Sequence, residues 1–162
     1  MTESTNNTNS ATRVIDAPAA DIFALLADPS RHAETDNSGM VVSADTDAKL
    51  EKVGDIFVMN MTNEEGDYQT RNEVFAFQEN KVIGWQNLAN LTADVEVGAK
   101  WLYELASEGS NSTSVTLTYD RGEIESDEVR KMSESFNDSA MEESLAALAS
   151  ALDGTDNPTQ KG

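Results

Sequence analysis

"APAADIFALLADPSRHAETDNSG", residues 17–39, is the stretch of sequence that decides the fold. Pro18 suits the first turn of a helix, where its missing N–H costs nothing. Four apolar side chains then form one helical stripe, and Asp28 ends it because a residue that precedes a proline avoids the helical region. A second short turn follows and carries His32, the single histidine of the chain, on a polar elbow. The stretch therefore predicts two short helices in sequence.

Strand patterns surround this helical stretch on both sides. Residues 11–17, "ATRVIDA", predict an opening strand that leads into the first helix. After the elbow, alternating side chains separated by turn-forming links predict six further strands, over 40–50, 55–61, 68–77, 82–89, 97–107 and 114–121. Short links between consecutive strands indicate an antiparallel meander.

The last part of the chain returns to a helical period. Ser126 is positioned to cap a helix whose first turn is acidic. The predicted helix spans 126–152, about 27 residues or roughly 40 Å, which is long enough to cross a whole sheet, and its apolar positions run from Val129 to Leu152. Because the sheet has no other large apolar partner, this helix is expected to cover its concave face. The polar ends, 1–11 and 153–162, are predicted to be disordered tails.

Composition narrows the class of protein. The 162 residues fit one domain, here 12–152, and carry a formal net charge of −19, which disfavours binding to nucleic acid or to anionic lipid surfaces. The chain has no cysteine, so disulfides and thiolate chemistry are excluded. No apolar run approaches the roughly 20 residues that a membrane-spanning helix needs, and the N-terminus lacks a secretory pattern. We therefore expect a soluble cytoplasmic protein without membrane insertion.

The ordered set of segments resembles a known superfamily. "APAADIFALLADPSRH", "VGDIFVM", "RNEVFAF", "KVIGWQN", "KWLYEL", "SVTLTYDRGE" and "SLAALASAL" are similar to successive elements of SRPBCC proteins, in particular the bacterial polyketide cyclase/dehydrase-like members. The resemblance covers about residues 12–152. It implies an α+β helix-grip (START-like) fold, in which a curved seven-stranded antiparallel sheet wraps around a long C-terminal helix, with two short helices after the first strand. It also implies a cavity between sheet and helix that holds an apolar or aromatic small molecule.

Strand alternation predicts which side chains line such a cavity, although the same stripe would serve equally well as ordinary core. Aromatic and sulfur-containing walls with a few polar groups are typical of small-molecule sites. The predicted ligand-binding residues are Phe57, Met59, Arg71, Asn72, Trp85, Trp101, Tyr103, Leu117, Tyr119, Met132, Phe136 and Ala140. Small side chains at 139 and 140 are expected to leave the room that a ligand would fill.

Polar candidates for chemistry are few. Arg71 and Asn72 are neighbours in one strand, so only one of them can point inward. Tyr103 and Tyr119 could donate hydrogen bonds to a developing enolate. His32, whose ordinary pKa is nearest neutrality, is expected to be solvent-exposed on its elbow. Without cysteine and with one histidine, neither a metal site nor another cofactor is expected.

Three functions remain open at this point. The first is binding of a lipid- or polyketide-like molecule without transforming it. The second is a polyketide cyclase or dehydrase reaction, in which Tyr103, Tyr119 and either Arg71 or Asn72 polarise substrate carbonyls. The third is an adaptor whose acidic surface docks a basic protein, and such docking would weaken steeply with salt.

Overall fold

One antiparallel sheet with helices on one side makes up the fold. The computed structural model describes residues 8–32, 41–44, 49–64, 66–134 and 136–156. Their strands are β1 (Thr8–Ile15), β2 (Val41–Ala44), β3 (Ile56–Asn63), β4 (Gly66–Gln78), β5 (Val82–Asn90), β6 (Val95–Glu96), β7 (Lys100–Gly109) and β8 (Ser112–Asp120). The helices are α1 (Ala19–Leu26), α2 (Asp127–Ser133) and α3 (Asp138–Asp156), and a single 3₁₀ turn covers Pro29–Arg31.

The strand order is β1-β8-β7-β5-β4-β3-β2, so the first and last strands of the chain are neighbours. All pairs are antiparallel, as the meander pattern predicts. An eighth strand joins the seven expected ones, because the two-residue β6 pairs with the end of β5 outside the main path. Two register shifts between β4 and β5 mark bulges, which bend a strand and increase its twist.

Helix α1 forms as the opening stretch predicts. Pro18 takes the N-cap position in an extended conformation, and Asp28 then caps the 3₁₀ turn by accepting the N–H of Ser30. The helix buries its apolar side chains, each contributing about 1.5–3 kcal/mol, namely Ile22, Phe23, Leu25 and Leu26. Two long-range hydrogen bonds hold the helix ends, from Thr113 Oγ1 to the Ala17 carbonyl and from the Leu50 N–H to the Ala27 carbonyl.

The C-terminal helical region is divided, where the apolar period predicted one continuous helix over 126–152. Ser126 caps α2 by accepting the N–H of Val129, as expected. A new cap then begins α3, because the side chain of Asn137 accepts the N–H of Ala140. α3 packs mainly against β1 and β8 at one side of the sheet.

Several boundaries of the predicted segments differ from those in the structure. Residues 8–11, predicted to be part of a disordered tail, instead pair with residues 117–120 of β8. Residues 8–11 are mostly polar, and backbone pairing does not require apolar side chains. A prediction from composition alone therefore missed this part of β1. At the other end, helical backbone continues to Asp156, beyond the predicted tail boundary at 153. The remaining tail residues, 1–7 and 157–162, lie outside the described residues, as do 45–48 of the strand predicted over 40–50.

Candidate functional site

The inner face of the sheet is the side against which the helical segments pack. At its centre an aromatic cluster, here called the His32 cluster, joins β3, β5 and β7 to the 3₁₀ turn. His32 stacks on Trp85 with ring centroids 4.6 Å apart and meets the edge of Phe57 at 5.7 Å. Trp85 in turn lies 5.8 Å from Phe57 and 5.7 Å from Tyr103. Strand alternation predicted the three sheet residues of this cluster.

His32 itself is buried, and the expectation that it is solvent-exposed is wrong. Only 5% of the residue is accessible, because the 3₁₀ turn brings its ring back onto Trp85. Nε2 lies 2.7 Å from the Leu26 carbonyl oxygen, so this nitrogen carries the proton of the neutral ring. Burial lowers the pKa of His32 to about 4, outweighing the opposing effects of that carbonyl and of Asp28. At neutral pH the cluster is uncharged.

A second aromatic cluster lies toward the α2–α3 connection. Trp101 and Tyr119 are register partners with ring centroids 4.5 Å apart, and Phe136 covers both at 5.3 and 5.0 Å. Burial raises the pKa of Tyr119 to about 12, so its hydroxyl stays protonated. The Arg121 guanidinium lies 5.3 Å from the Tyr119 ring centroid and donates to Ser133 Oγ at 3.1 Å. Phe136, just before α3, therefore covers this cluster.

Polar amides lie beside the His32 cluster, on the paired strands β4 and β5. Asn72 is buried and its amide nitrogen lies 3.3 Å from Thr70 Oγ1 and 3.4 Å from the Phe57 carbonyl oxygen. Directly opposite is Asn87, whose Oδ1 is sealed from solvent and has no hydrogen-bond partner among the described residues. Arg71 is exposed, so of the two neighbours it is Asn72 that points inward, and Arg71 is removed from the predicted lining.

Sequence reasoning missed Asn87, although the signal was present. It lies two positions after Trp85 on the same strand, and alternation therefore places both side chains on one face. Candidates on this face of the sheet were selected by an apolar and aromatic pattern. The polar amide of Asn87 did not match that pattern.

The other predicted site residues separate into two groups. Met59 and Leu117 are buried on the inner face, and Ala140 is half-buried. Met132 is 64% exposed on α2, so its assignment to the lining is wrong. The divided helix explains this exposure. The apolar period placed Met132 on the inner face of one continuous helix, but α2 and α3 are separate helices. Ser139 is exposed as well and leaves no space against the sheet.

A separate recess of about 310 Å³ lies at the far end of β2, β3 and β4. Asn60, Gln69 and Thr92 line it together with Met61 and Tyr68, and none of the predicted site residues does. Its polar groups are largely paired, since Gln69 Nε2 donates to Asn60 Oδ1 at 2.8 Å and the Gln69 N–H donates to Thr92 Oγ1 at 3.0 Å.

The described ranges hold neither a metal-binding cluster nor a membrane-spanning helix. No group of three or more histidine, aspartate or glutamate side chains comes together there in a way that could hold a metal ion. None of the helices in the same ranges is long and apolar enough to cross a membrane.

The sheet, with α1 and α3 on its inner face and its first and last strands, β1 and β8, paired, defines a START-like helix-grip domain of the SRPBCC type. The chain belongs to the family described as polyketide cyclase/dehydrase and lipid transport, whose model matches residues 8–153. Uncharacterized protein Rv0088 of Mycobacterium tuberculosis is 35% identical over 105 residues, which cover 64% of this chain and 43% of that protein. The chain thus matches less than half the length of this curated relative.

Solved structures share the fold at low sequence identity. A solution structure of a protein from Arthrobacter aurescens has a TM-score of 0.72 at 16% identity, covering 94% of this chain and 90% of that one. Protein NE0264 from Nitrosomonas europaea has a TM-score of 0.68 at 15% identity, with 93% and 96% covered. The di-domain ARO/CYC StfQ from the steffimycin biosynthetic pathway has a TM-score of 0.64 at 13% identity, covering 91% of this chain and 45% of StfQ.

Proposed function

We propose that this domain binds an apolar or aromatic small molecule, lipid- or polyketide-like, on the inner face of its sheet beside the His32 cluster. Family membership supports a hydrophobic ligand. The observation that carries the proposal is the combination of stacked aromatic side chains with a buried amide oxygen that has no hydrogen-bond partner among the described residues. Apolar walls with a few polar groups are the usual composition of small-molecule sites, and an unpaired buried oxygen is rare in a filled core.

Tryptophan fluorescence tests the proposal, because the chain has only two tryptophans. Trp101→Phe leaves Trp85 in the His32 cluster as the sole reporter, and Trp85→Phe is the matched control that leaves Trp101 beneath Phe136. Bromodecanol, an uncharged bromoalcohol, quenches a tryptophan only at short range. We expect saturable quenching at one probe per protein, stronger in Trp101→Phe than in Trp85→Phe. The absence of saturable quenching in both variants would contradict the proposal.

A cyclase or dehydrase reaction at the same face is the second candidate, and Tyr119 is the observation that favours it. The Tyr119 side chain is buried on the inner face of the sheet, and its hydroxyl is protonated at neutral pH, the state in which it can donate to a substrate oxygen. His32 is a poor general base, because burial holds its pKa near 4. The test is turnover of a polyketide chain, with activity lost in Tyr119→Phe while the unfolding free energy stays within about 1 kcal/mol of the original.

A further inference from the structure

Asn87 and Asn72 form a pair of amides in the middle of the inner face. The β4–β5 register places them directly opposite each other, at the distance where cross-strand side chains touch. Asn87 follows Trp85 by two positions on β5, so its amide borders the His32 cluster. The two amides therefore lie on the same face of the sheet as the stacked rings of this cluster.

The two amides differ in what they bind within the protein. The nitrogen of Asn72 is directed at acceptors, with Thr70 Oγ1 and the Phe57 carbonyl oxygen at 3.3 and 3.4 Å. Asn87 Oδ1 is closed to solvent, and no donor within the described part of the chain reaches it. A buried carbonyl oxygen without a hydrogen bond weakens the folded state, so such a group needs a reason to persist. A hydroxyl or N–H of a ligand would supply the missing donor.

The surroundings also select the charge of that ligand. Arg121 is the one buried side chain in the described ranges that carries a full charge, and its guanidinium is already bonded to Ser133, Asn9 and the Phe136 carbonyl oxygen. Arg71 lies on the opposite face. A carboxylate placed beside Asn87 would thus lose its hydration without gaining a cation, within a chain of net charge −19.

We propose that the ligand is an uncharged aromatic molecule bearing a hydroxyl or N–H, that it lies beside the His32 cluster, and that Asn87 Oδ1 accepts its hydrogen bond. Phenols and hydroxylated polycyclic molecules fit this description, and fatty-acid anions do not. The assignment rests on the proposed binding function and adds to it the chemical class of the ligand and the residue that recognises it.

Three probes of one shape test this assignment by calorimetry at pH 7. 2-Naphthol carries the donor, 2-methoxynaphthalene lacks it, and 2-naphthoate carries a negative charge. For the unaltered protein we expect 2-naphthol to bind about fivefold to tenfold more tightly than the methoxy compound, the range of one neutral hydrogen bond, and 2-naphthoate to bind most weakly. In Asn87→Leu the preference for 2-naphthol over the methoxy compound should disappear while the methoxy compound still binds.

Asn60→Leu is the matched control, because Asn60 lies in the 310 Å³ recess and its amide is already paired with Ser43 and Gln69. It should leave the preference unchanged. Asn87→Leu should also raise the midpoint of thermal unfolding of the free protein, since it removes an unpaired polar atom. If Asn87→Leu keeps the full preference, or if Asn60→Leu abolishes it, the role of Asn87 is overturned while binding itself stands. If none of the three probes binds, the proposed function fails for aromatic ligands, and this assignment fails with it.

Discussion

At the scale of single residues, His32 shows what a sequence cannot convey about environment. Its neighbours Arg31 and Glu34 are polar, which favoured an exposed position, yet the ring lies sealed between Trp85 and Phe57. Exposure depends here on a turn three residues long that is closed by a side-chain cap. The sequence pattern predicts the capping residue, but it does not predict the direction in which the side chain after the turn points. For Asn72, by contrast, alternation limited the choice to one of two neighbours, and the structure selects it.

The burial of His32 makes stability depend on pH with a definite sign. Above pH 6.5 the ring is neutral in both the folded and the unfolded chain and has no effect. Between pH 6.5 and about 4 only the unfolded chain takes up the proton, so the free energy of unfolding falls as pH falls. From pH 7 to pH 5 we expect this group to remove about 2 kcal/mol. Urea unfolding at pH 7, 6 and 5 measures the loss.

His32→Phe is the control for this pH dependence. Phenylalanine keeps a ring against Trp85 but cannot donate to the Leu26 carbonyl oxygen, so the variant should be less stable at pH 7 by about 1 kcal/mol. Asp55 and Asp138 have pKa values lowered from 3.8 by hydrogen bonds, so their contribution to stability is lost only below that value and stays constant from pH 7 to pH 5 in both proteins. The variant should therefore show the smaller loss from pH 7 to pH 5. Equal losses in the two proteins would mean that His32 is not the group responsible.

At the scale of elements, the sequence predicts the type and order of nearly every segment, because apolar periodicity distinguishes strands from helices. It does not predict continuity. The apolar positions from Val129 to Leu152 continue across the break between α2 and α3, where Asn137 starts a new helix through its side chain. β6 was not predicted either, because a strand of two residues is too short to show an alternating pattern. A residue that is assigned to the site by assuming one continuous helix, such as Met132, is therefore misplaced when the helix is divided.

Ala140 on α3 allows a test of the prediction that small side chains on this helix leave room for a ligand against the sheet. It is half-buried against the core, and phenylalanine at this position would extend toward the sheet. We expect Ala140→Phe to weaken binding of bromodecanol at least tenfold with little change in unfolding free energy. Overpacking a filled core would instead cost roughly 1–3 kcal/mol. Ser139→Phe is the control, because Ser139 is its neighbour and exposed, and it should change neither quantity. A destabilised Ala140→Phe that still binds the probe would identify Ala140 as plain core.

At the scale of the whole molecule, composition bears on physical behaviour more directly than on function. With 30 acidic and 11 basic side chains, the folded chain concentrates like charge that the unfolded chain spreads out. Exposed ion pairs such as Lys52–Asp55 and Lys100–Glu123 contribute little to offset this. The ligand class, in contrast, depends on which buried atoms are left unpaired, and that depends on packing across strands far apart in sequence.

Salt is therefore expected to stabilise this protein. At 0.1 M ionic strength charges more than about 10 Å apart are largely screened, so adding sodium chloride from about 0.02 to 0.5 M should relieve the repulsion. We expect a gain of about 1–2 kcal/mol, or roughly 3–6 °C in the midpoint of thermal unfolding. A variant with four exposed glutamates changed to glutamine, at Glu79, Glu104, Glu108 and Glu125, separates screening from general salt effects. It should be more stable than the original in low salt and gain less from added salt, because less repulsion remains to be screened. If both proteins gain equally, the stabilisation comes from the effect of salt on apolar burial, and the net charge of −19 has no measurable role in folding.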